Sequence, residues 1–167
     1  MPINLTQTPK QILVSLINQD NGTALSEEML VFGTPATHSG AKNTSIVATA
    51  APDMGYTGSV TFNYNRLNIA NIPGTRSKVF SQGTNVNISD LIPLINSRYQ
   101  INLTANDFTQ ALLPTFTLQT PNQLLDFVLT IKSTSLIYYG SVTLQLRRAD
   151  INLNTIITNT NLPDLTF

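Results

Sequence analysis

Residues 58–64 read Gly-Ser-Val-Thr-Phe-Asn-Tyr, and residues 140–146 read Gly-Ser-Val-Thr-Leu-Gln-Leu. At this spacing of 82, residues 43–72 match residues 125–154 without a gap. The identical pairs outside Gly-Ser-Val-Thr are Tyr56 with Tyr138, Arg66 with Arg148, and Ile69 with Ile151. Both stretches alternate apolar and polar side chains, which is typical of β-strands. The sequence therefore indicates an internal repeat, in which one unit occurs twice.

A second block of matching residues precedes the first, at a spacing of 78. Its members are Leu13, Leu16, Ile17, Asn18 and Leu25, which match Leu91, Leu94, Ile95, Asn96 and Leu103. The four-residue difference falls between the blocks, where a surface loop absorbs it. We therefore expect repeat unit 1 at 8–72 and repeat unit 2 at 88–154. Residues 73–87 are the predicted linker, and residues 1–7 and 155–167 are predicted terminal arms.

Each unit is predicted to begin with a short helix. In the first unit, Thr8 and Gln11 have the spacing of a capping box. In the second unit, Ser89 or Asp90 is the expected cap. Pro93 is then expected in the first turn, where its missing N–H costs least.

A further helical turn is predicted in each unit, at 26–31 and at 104–110. Antiparallel strands follow, joined through residues 51–58 and through residues 133–140. The predicted fold class is thus α+β, a tandem duplication of short helices followed by antiparallel β-hairpin strands. Because units of about 70–80 residues are marginal alone, the two copies are expected to pack together.

The composition is low in charge and rich in Asn and Thr. Nine basic and nine acidic residues cancel, and charged residues make up 11% of the chain, against roughly 25% in typical globular domains. Asn and Thr together form about a quarter of the sequence. Nucleic-acid affinity depends on an excess of Lys and Arg, so no nucleic-acid partner is expected. The absence of Cys excludes disulfides, thiolate zinc sites and a cysteine nucleophile.

No stretch approaches the ~18–20 consecutive apolar residues of a membrane span. The first residues, Met-Pro-Ile-Asn-Leu, lack the positive and apolar regions of a signal peptide. We therefore expect no transmembrane segment, no signal peptide and no membrane partner.

The sequence contains no recognisable catalytic or metal-binding pattern. His38 is the single histidine and lies in a Gly- and Thr-rich segment, with no base or orienting partner at a suggestive spacing. The adjacent acids Glu27 and Glu28 suit the start of a helix. We expect no catalytic residue, no cofactor, no metal and no small-molecule ligand, and hence not an enzyme.

Arg66 and Arg148 are the most informative charges, because they recur at one position of both units. We interpret them as structural or partner-contact residues. The structural hypothesis pairs Arg66 with Glu28 and Arg148 with Asp107. Recognition of an anion or a protein partner is the alternative.

Further candidate contact residues are aromatic or apolar. Tyr138 repeats Tyr56, which favours packing over a sugar-stacking platform formed by Tyr138 and Tyr139. The C-terminal arm offers apolar side chains to a neighbouring subunit. These are Ile156, Ile157, Leu162, Leu165 and Phe167.

Several motifs together resemble a domain in virion structural proteins of large tailed bacteriophages. They are the Leu-Ile-x-Leu-Ile-Asn order at 91–96 and the stretches 102–107, 139–143 and 55–67. The resemblance implies a non-enzymatic particle component, assembled in the host cytoplasm, such as a head decoration, neck, tail or baseplate accessory protein. Its partners would be other virion proteins and copies of itself.

The sparse charge independently favours close protein–protein contacts, because each desolvated charge is costly. The alternative function is a carbohydrate or host-surface binding module. Such a module would use the loops at 32–42 and 109–122.

Overall fold

The chain has a mixed α+β fold. A computed structural model describes residues 3–116 and 123–148, and within these residues there are two α-helices and several small sheets. The helices are α1 (Pro9–Asn21) and α2 (Ile88–Tyr99). The strands are β1 (Leu30–Phe32), β2 (Ala36–Thr37), β3 (Thr44–Ala50), β4 (Ser59–Tyr64), β5 (Leu67–Asn68), β6 (Val79–Ser81), β7 (Leu124–Thr130), β8 (Tyr138–Tyr139) and β9 (Ser141–Arg147).

Helix α1 begins as predicted. The backbone N–H of Gln11 donates to the Thr8 hydroxyl at 3.2 Å, and the Thr8 N–H donates to the Gln11 side chain at 3.1 Å. Pro9 occupies the first turn, where no N–H is required. Gly22 ends the helix with a left-handed φ of 63°. The predicted capping box is therefore confirmed.

Helix α2 begins earlier than predicted, because its cap is Asn87 rather than Ser89 or Asp90. The Asp90 carboxylate accepts from the backbone N–H of Asn87 at 2.8 Å and of Val86 at 3.0 Å. These hydrogen bonds lower the pKa of Asp90, with the Asn87 bond contributing most. Asp90 is thus the third helical residue, where a carboxylate reaches back to the cap. Pro93 consequently lies in the second turn, not in the first.

Both predicted helical turns are shorter than expected. In the first, a 3-10 turn at Glu27–Met29 leads directly into β1. In the second, the N–H of Asp107 donates to the carbonyl oxygen of Thr104 at 2.9 Å and closes a single turn. The chain therefore leaves helical structure soon after each of these turns begins.

Two small sheets are each built around a central strand. In the first, β3 pairs antiparallel with β4 on one side and with β1 and β2 on the other. In the second, β9 pairs antiparallel with β7 and parallel with β6. A short parallel pair, β5 with β8, connects the chain after β4 to the chain before β9.

The register of the two hairpins corrects the ungapped match. Ile46 lies opposite Phe62, whereas Phe127, not Val128, lies opposite Leu144. The connection between the strands is one residue longer in the second hairpin, which shifts its first strand by one position. Because successive strand residues face opposite sides, Val128 is exposed where Ile46 is buried. Phe127 is therefore the residue that occupies the place of Ile46.

One apolar core joins the helices to the inner faces of both sheets. The apolar faces of α1 and α2 and alternate residues of β3, β7 and β9 contribute to it. The largest fully buried side chains are Ile12, Leu13, Ile46, Ile69, Phe80, Ile88, Leu91, Ile95, Leu129, Tyr138, Leu144 and Leu146.

Two segments predicted to lie outside the units take part in this core. The predicted linker 73–87 contains β6, whose Phe80 is 1% exposed. This segment is therefore part of the second sheet, because β6 gains hydrogen bonds by pairing with β9 and the Phe80 side chain is buried there. In the predicted N-terminal arm, Leu5 packs against the core, and the carbonyl oxygen of Thr6 accepts from Asn102 at 3.2 Å. The predicted arm 155–167 lies outside the described residues.

Candidate functional site

Arg66 links the first sheet to the loop that precedes β8. Its Nε donates to Thr44 Oγ1 at 3.1 Å. Its Nη1 donates to the carbonyl oxygen atoms of Ser133 at 3.1 Å and Ser135 at 3.2 Å. The guanidinium carbon lies 5.8 Å from the centre of the Tyr139 ring, within cation–π range. Arg66 therefore holds a loop that is almost 70 positions away in sequence.

The contact continues on both sides of Arg66. The Tyr64 hydroxyl donates to the carbonyl oxygen of Leu136 at 2.5 Å. The Leu67 N–H, at the start of β5, donates to the carbonyl of the residue before β8 at 2.8 Å. We refer to this contact, between residues 64–68 and residues 133–139, as the junction.

A buried carboxylate fixes the loop side of the junction. Asp107 is 3% exposed, and its Oδ1 accepts from the Ser135 hydroxyl at 2.6 Å. Its Oδ2 accepts from the backbone N–H of Thr104 at 2.9 Å and from the Thr104 hydroxyl at 2.6 Å. Its backbone oxygen accepts from the Lys132 N–H at 2.8 Å. The charge of Asp107 is thus stabilised by neutral donors, which hold the loop in place for Arg66.

The predicted pairing of Arg66 with Glu28 is wrong. The two residues lie at opposite ends of β3, which spans roughly 20 Å at about 3.3 Å per residue. The carboxylate of Asp107 accepts hydrogen bonds from Thr104 and Ser135 in place of the predicted Arg148. Arg148 lies half-buried directly after β9.

Tyr56 and Tyr138 match in sequence but lie in opposite environments. Tyr138 is 0% exposed in β8, whereas Tyr56 is 56% exposed in the connection between β3 and β4. The reason is that the longer second connection folds back onto β5, while the first connection points into solvent. Tyr139 contacts Arg66 and Tyr138 is buried, so the two do not form a joint stacking platform. The remaining predicted contact residues, Ile156, Ile157, Leu162 and Phe167, lie outside the described residues.

Burial strongly affects both core tyrosines of the junction. Burial raises the pKa of Tyr64 to about 12, and the nearby Arg66 charge opposes this rise. Burial likewise raises the pKa of Tyr138 to about 12, and the negative charge of Asp107 adds to the effect. The Tyr138 hydroxyl has no hydrogen-bond partner of normal geometry among the described residues. The two hydroxyls therefore differ: one donates a hydrogen bond and the other is buried without a well-formed one.

This difference predicts opposite effects for two matched substitutions. Tyr64→Phe should lower the free energy of unfolding by about 1–2 kcal/mol, because it removes the bond to the Leu136 carbonyl. Tyr138→Phe should leave that free energy unchanged or raise it by up to about 1 kcal/mol, because it removes a poorly satisfied polar atom. Urea denaturation of both variants measures the difference. A larger loss for Tyr138→Phe than for Tyr64→Phe would contradict this interpretation.

The same tyrosines predict instability in alkali. Their folded-state pKa values lie near 12, above the ordinary value of 10.0. Their contribution is therefore fully present below pH 10 and is lost as the pH rises towards 12. We expect the free energy of unfolding to fall across this range, and to fall less steeply in Tyr138→Phe. Denaturation curves at several pH values measure this. Equal slopes for the variant and the unchanged protein would contradict it.

A groove of 530 Å³ lies beside the junction, between the start of α1 and the loop before β8. Its polar lining includes Thr8, Lys10, Asn106 and Thr134. Among the described residues, Asp107 supplies a carboxylate to its lining. That carboxylate already accepts three hydrogen bonds, two from Thr104 and one from Ser135. The groove therefore presents hydroxyl, amide and amine groups beside a carboxylate that already accepts hydrogen bonds.

The other sequence candidates do not form a reactive cluster. The backbone of His38 bonds to that of Asn43 at 3.1 Å, and its ring packs over Gly40. Across residues 3–116 and 123–148, no group of three or more His, Asp or Glu side chains is placed to hold a metal ion.

The two predicted binding loops are partly anchored, as far as they are described. In the loop at 32–42, strand β2 pairs with β3. In the loop at 109–122, the Gln110 side chain donates to Ser89 Oγ at 2.7 Å, and the Leu113 N–H donates to Val86 at 2.8 Å. These contacts tie residues 110–113 to the beginning of α2.

The matched residues Asn18 and Asn96 share a structural role that their alignment in the sequence does not indicate. Asn18 donates to the Leu25 carbonyl and accepts from the Leu25 N–H, both at 2.8 Å. Asn96 makes the same two bonds with Leu103, both at 2.9 Å. We call each of these an asparagine clamp. Their signal in the sequence was an Asn followed seven residues later by Leu in both blocks.

The outward faces of the two hairpins also match. In the two outward cross-strand pairs nearest each connection, the residues are small, uncharged and partly β-branched. The cross-strand pairs are Val47 with Thr61 and Thr49 with Ser59 in the first hairpin, and Val128 with Thr143 and Thr130 with Ser141 in the second. This match becomes visible only with the observed register.

Comparisons with known proteins identify one family. A model described as a family of unknown function (DUF7941) matches residues 3–167. No curated protein and no solved structure matches the chain. Among the described residues, neither helix has the length and apolar character needed to cross a membrane.

Proposed function

The chain belongs to the family of unknown function DUF7941, and we propose that it is a non-enzymatic structural component of a tailed-phage virion. In this role it acts through contacts with other virion proteins and with copies of itself. The proposed position is an accessory one, in head decoration, neck, tail or baseplate.

The observation that carries this proposal is the sparse charge on the outward faces of the hairpins. Strands β3 and β4 carry no charged side chain there, whereas β7 and β9 carry Asp126 and Arg147 at the end away from their connection. The central cross-strand pairs there are Val–Thr and Thr–Ser in each sheet. Val47 and Val128 are both exposed on these faces. Burying the outward face of the first hairpin against another protein does not leave a charge unpaired, so the desolvation cost is small.

We also propose that the chain is a tandem duplication. The two asparagine clamps support this, because they repeat the same two hydrogen bonds at the same seven-residue separation. The matching outward pairs of the hairpins support it as well. Packing of the two copies through the junction then supplies the core that a unit of this size lacks alone.

The C-terminal segment extends the proposed assembly role. Its apolar residues, Ile156, Ile157, Leu162 and Phe167, are proposed to contact a neighbouring subunit.

A mass-spectrometric census of purified particles tests the proposal. The particles are those of the phage that encodes the chain. They are purified by density-gradient centrifugation, treated with nuclease and washed in protease-free buffer. We expect the chain at a fixed stoichiometry to known structural proteins. Its presence only in infected-cell lysate would overturn the proposal. Saturable glycan binding by a chain absent from particles would instead favour the carbohydrate-binding alternative.

A further inference from the structure

In the part of the chain that the structure describes, strand β4 forms an open edge of the first sheet. Within the described residues it pairs with β3 alone. Ser59, Val60, Thr61 and Asn63 are all exposed, and Val60 is 57% exposed. An edge strand of this kind presents unpaired backbone donors and acceptors.

The hydrogen bonding to β3 fixes which backbone groups are free. The N–H of Ala50 donates to the Gly58 carbonyl at 3.0 Å, so alternate residues from Gly58 onward point their backbone groups towards β3. Ser59, Thr61 and Asn63 therefore point their N–H and C=O groups away from the sheet. These groups form one continuous edge.

The edge lacks the usual protection against pairing. Residues 54–65 contain neither a charged residue nor a proline. Natural edge strands are normally blocked by Lys, Pro, bulges or covering loops. An open and uncharged edge of six residues therefore favours the addition of a further strand.

We propose that this further strand is β4 of a second copy, paired antiparallel about a twofold axis at Thr61. The pattern of residues 59–63, Ser-Val-Thr-Phe-Asn, is palindromic in polarity around Thr61. Such a palindrome is what a self-complementary interface requires. A second copy therefore matches this edge in polarity at all five positions, with no charged side chain on either strand.

The register of this pairing follows from the same geometry. Thr61 lies opposite Thr61 of the second copy, and Ser59 lies opposite Asn63. The three outward N–H groups of each copy all donate across the axis, so the backbone forms six hydrogen bonds. On the inner face, the exposed Val60 lies opposite the half-buried Phe62 of the second copy. The two four-stranded sheets then form one continuous sheet.

This inference rests on the proposed assembly role for its biological setting, but its test is separate. Light scattering coupled to size exclusion is carried out on the full chain over a range of concentrations. The unchanged protein is expected to approach twice the 18.2 kDa of one chain. Thr61→Lys and Thr61→Glu, each placing like charges opposite each other, should each raise the dimer Kd about tenfold or more. An equimolar mixture of the two variants should restore the dimer.

Thr143→Lys is the matched control, because Thr143 occupies the equivalent outward position opposite Val128. It should leave the dimer intact. A chain that stays monomeric at all concentrations would overturn the inference, as would equal weakening by Thr143→Lys and Thr61→Lys. A strand supplied by another virion protein, with no association of the chain alone, would overturn it too. Presence in particles, measured by the census, decides the proposed function independently of this result.

Discussion

Replacing Asn96 with Ala is expected to lower the free energy of unfolding by about 2–4 kcal/mol. The substitution removes both bonds to Leu103 and leaves its buried N–H and C=O groups without partners. Asn18→Ala should cost less, because Leu25 is only half-buried and water can reach its backbone. Guanidinium denaturation followed by circular dichroism measures both values.

Two further variants sharpen this prediction. Asn96→Asp keeps the acceptor for the Leu103 N–H but loses the donor to its carbonyl. It should therefore destabilise nearly as much as the Ala variant. Asn106→Ala removes an exposed side chain beside the groove and should change little. If Asn96→Ala behaved like Asn106→Ala, the clamp would not contribute to stability.

Local signals in the sequence were sufficient to predict α1 but not the start of α2. Thr8 and Gln11 interact across three positions, so their spacing alone indicates the cap. Near α2, Asn87, Ser89 and Asp90 all have side chains that suit a cap. The choice among them depends on Asp90 reaching back to Val86 and Asn87, which residue types alone do not distinguish.

A sequence match without gaps could not predict the register of the hairpins. One extra residue in the second connection moves Val128 from the core face to the outward face. A strand has a period of two, so a shift of one position reverses every side chain. The alternation itself was visible in the sequence, but its alignment with Ile46 depended on the connection length.

The hydrogen-bond acceptors of Arg66 could not be identified from the residue types in the sequence. Two of its three acceptors are the backbone carbonyl groups of Ser133 and Ser135. Every residue carries such a group, so no residue type identifies it. Residue types alone therefore favour a carboxylate partner such as Glu28, whereas the actual contact depends on how the loop before β8 folds back.

Replacing Arg66 with Met is expected to lower the free energy of unfolding by about 2–4 kcal/mol. Met retains much of the aliphatic stem but makes none of the bonds to Thr44, Ser133 and Ser135. Losing the hydrogen bonds of a half-buried guanidinium thus lowers the free energy of unfolding by more than losing a charge on the surface does. Chemical denaturation gives the stability of the variant.

Arg147→Met is the matched control, because Arg147 is exposed at the end of β9 and should tolerate the change. Arg66→Lys should recover only part of the loss, since one ammonium group cannot reproduce the planar fork that reaches several acceptors. The Arg66 variants should also reduce protection of the β5–β8 backbone amides from hydrogen exchange, because the junction holds these strands together. Full stability with unchanged exchange in Arg66→Met would show that the junction does not depend on Arg66, and would return its role to recognition of an anion or partner.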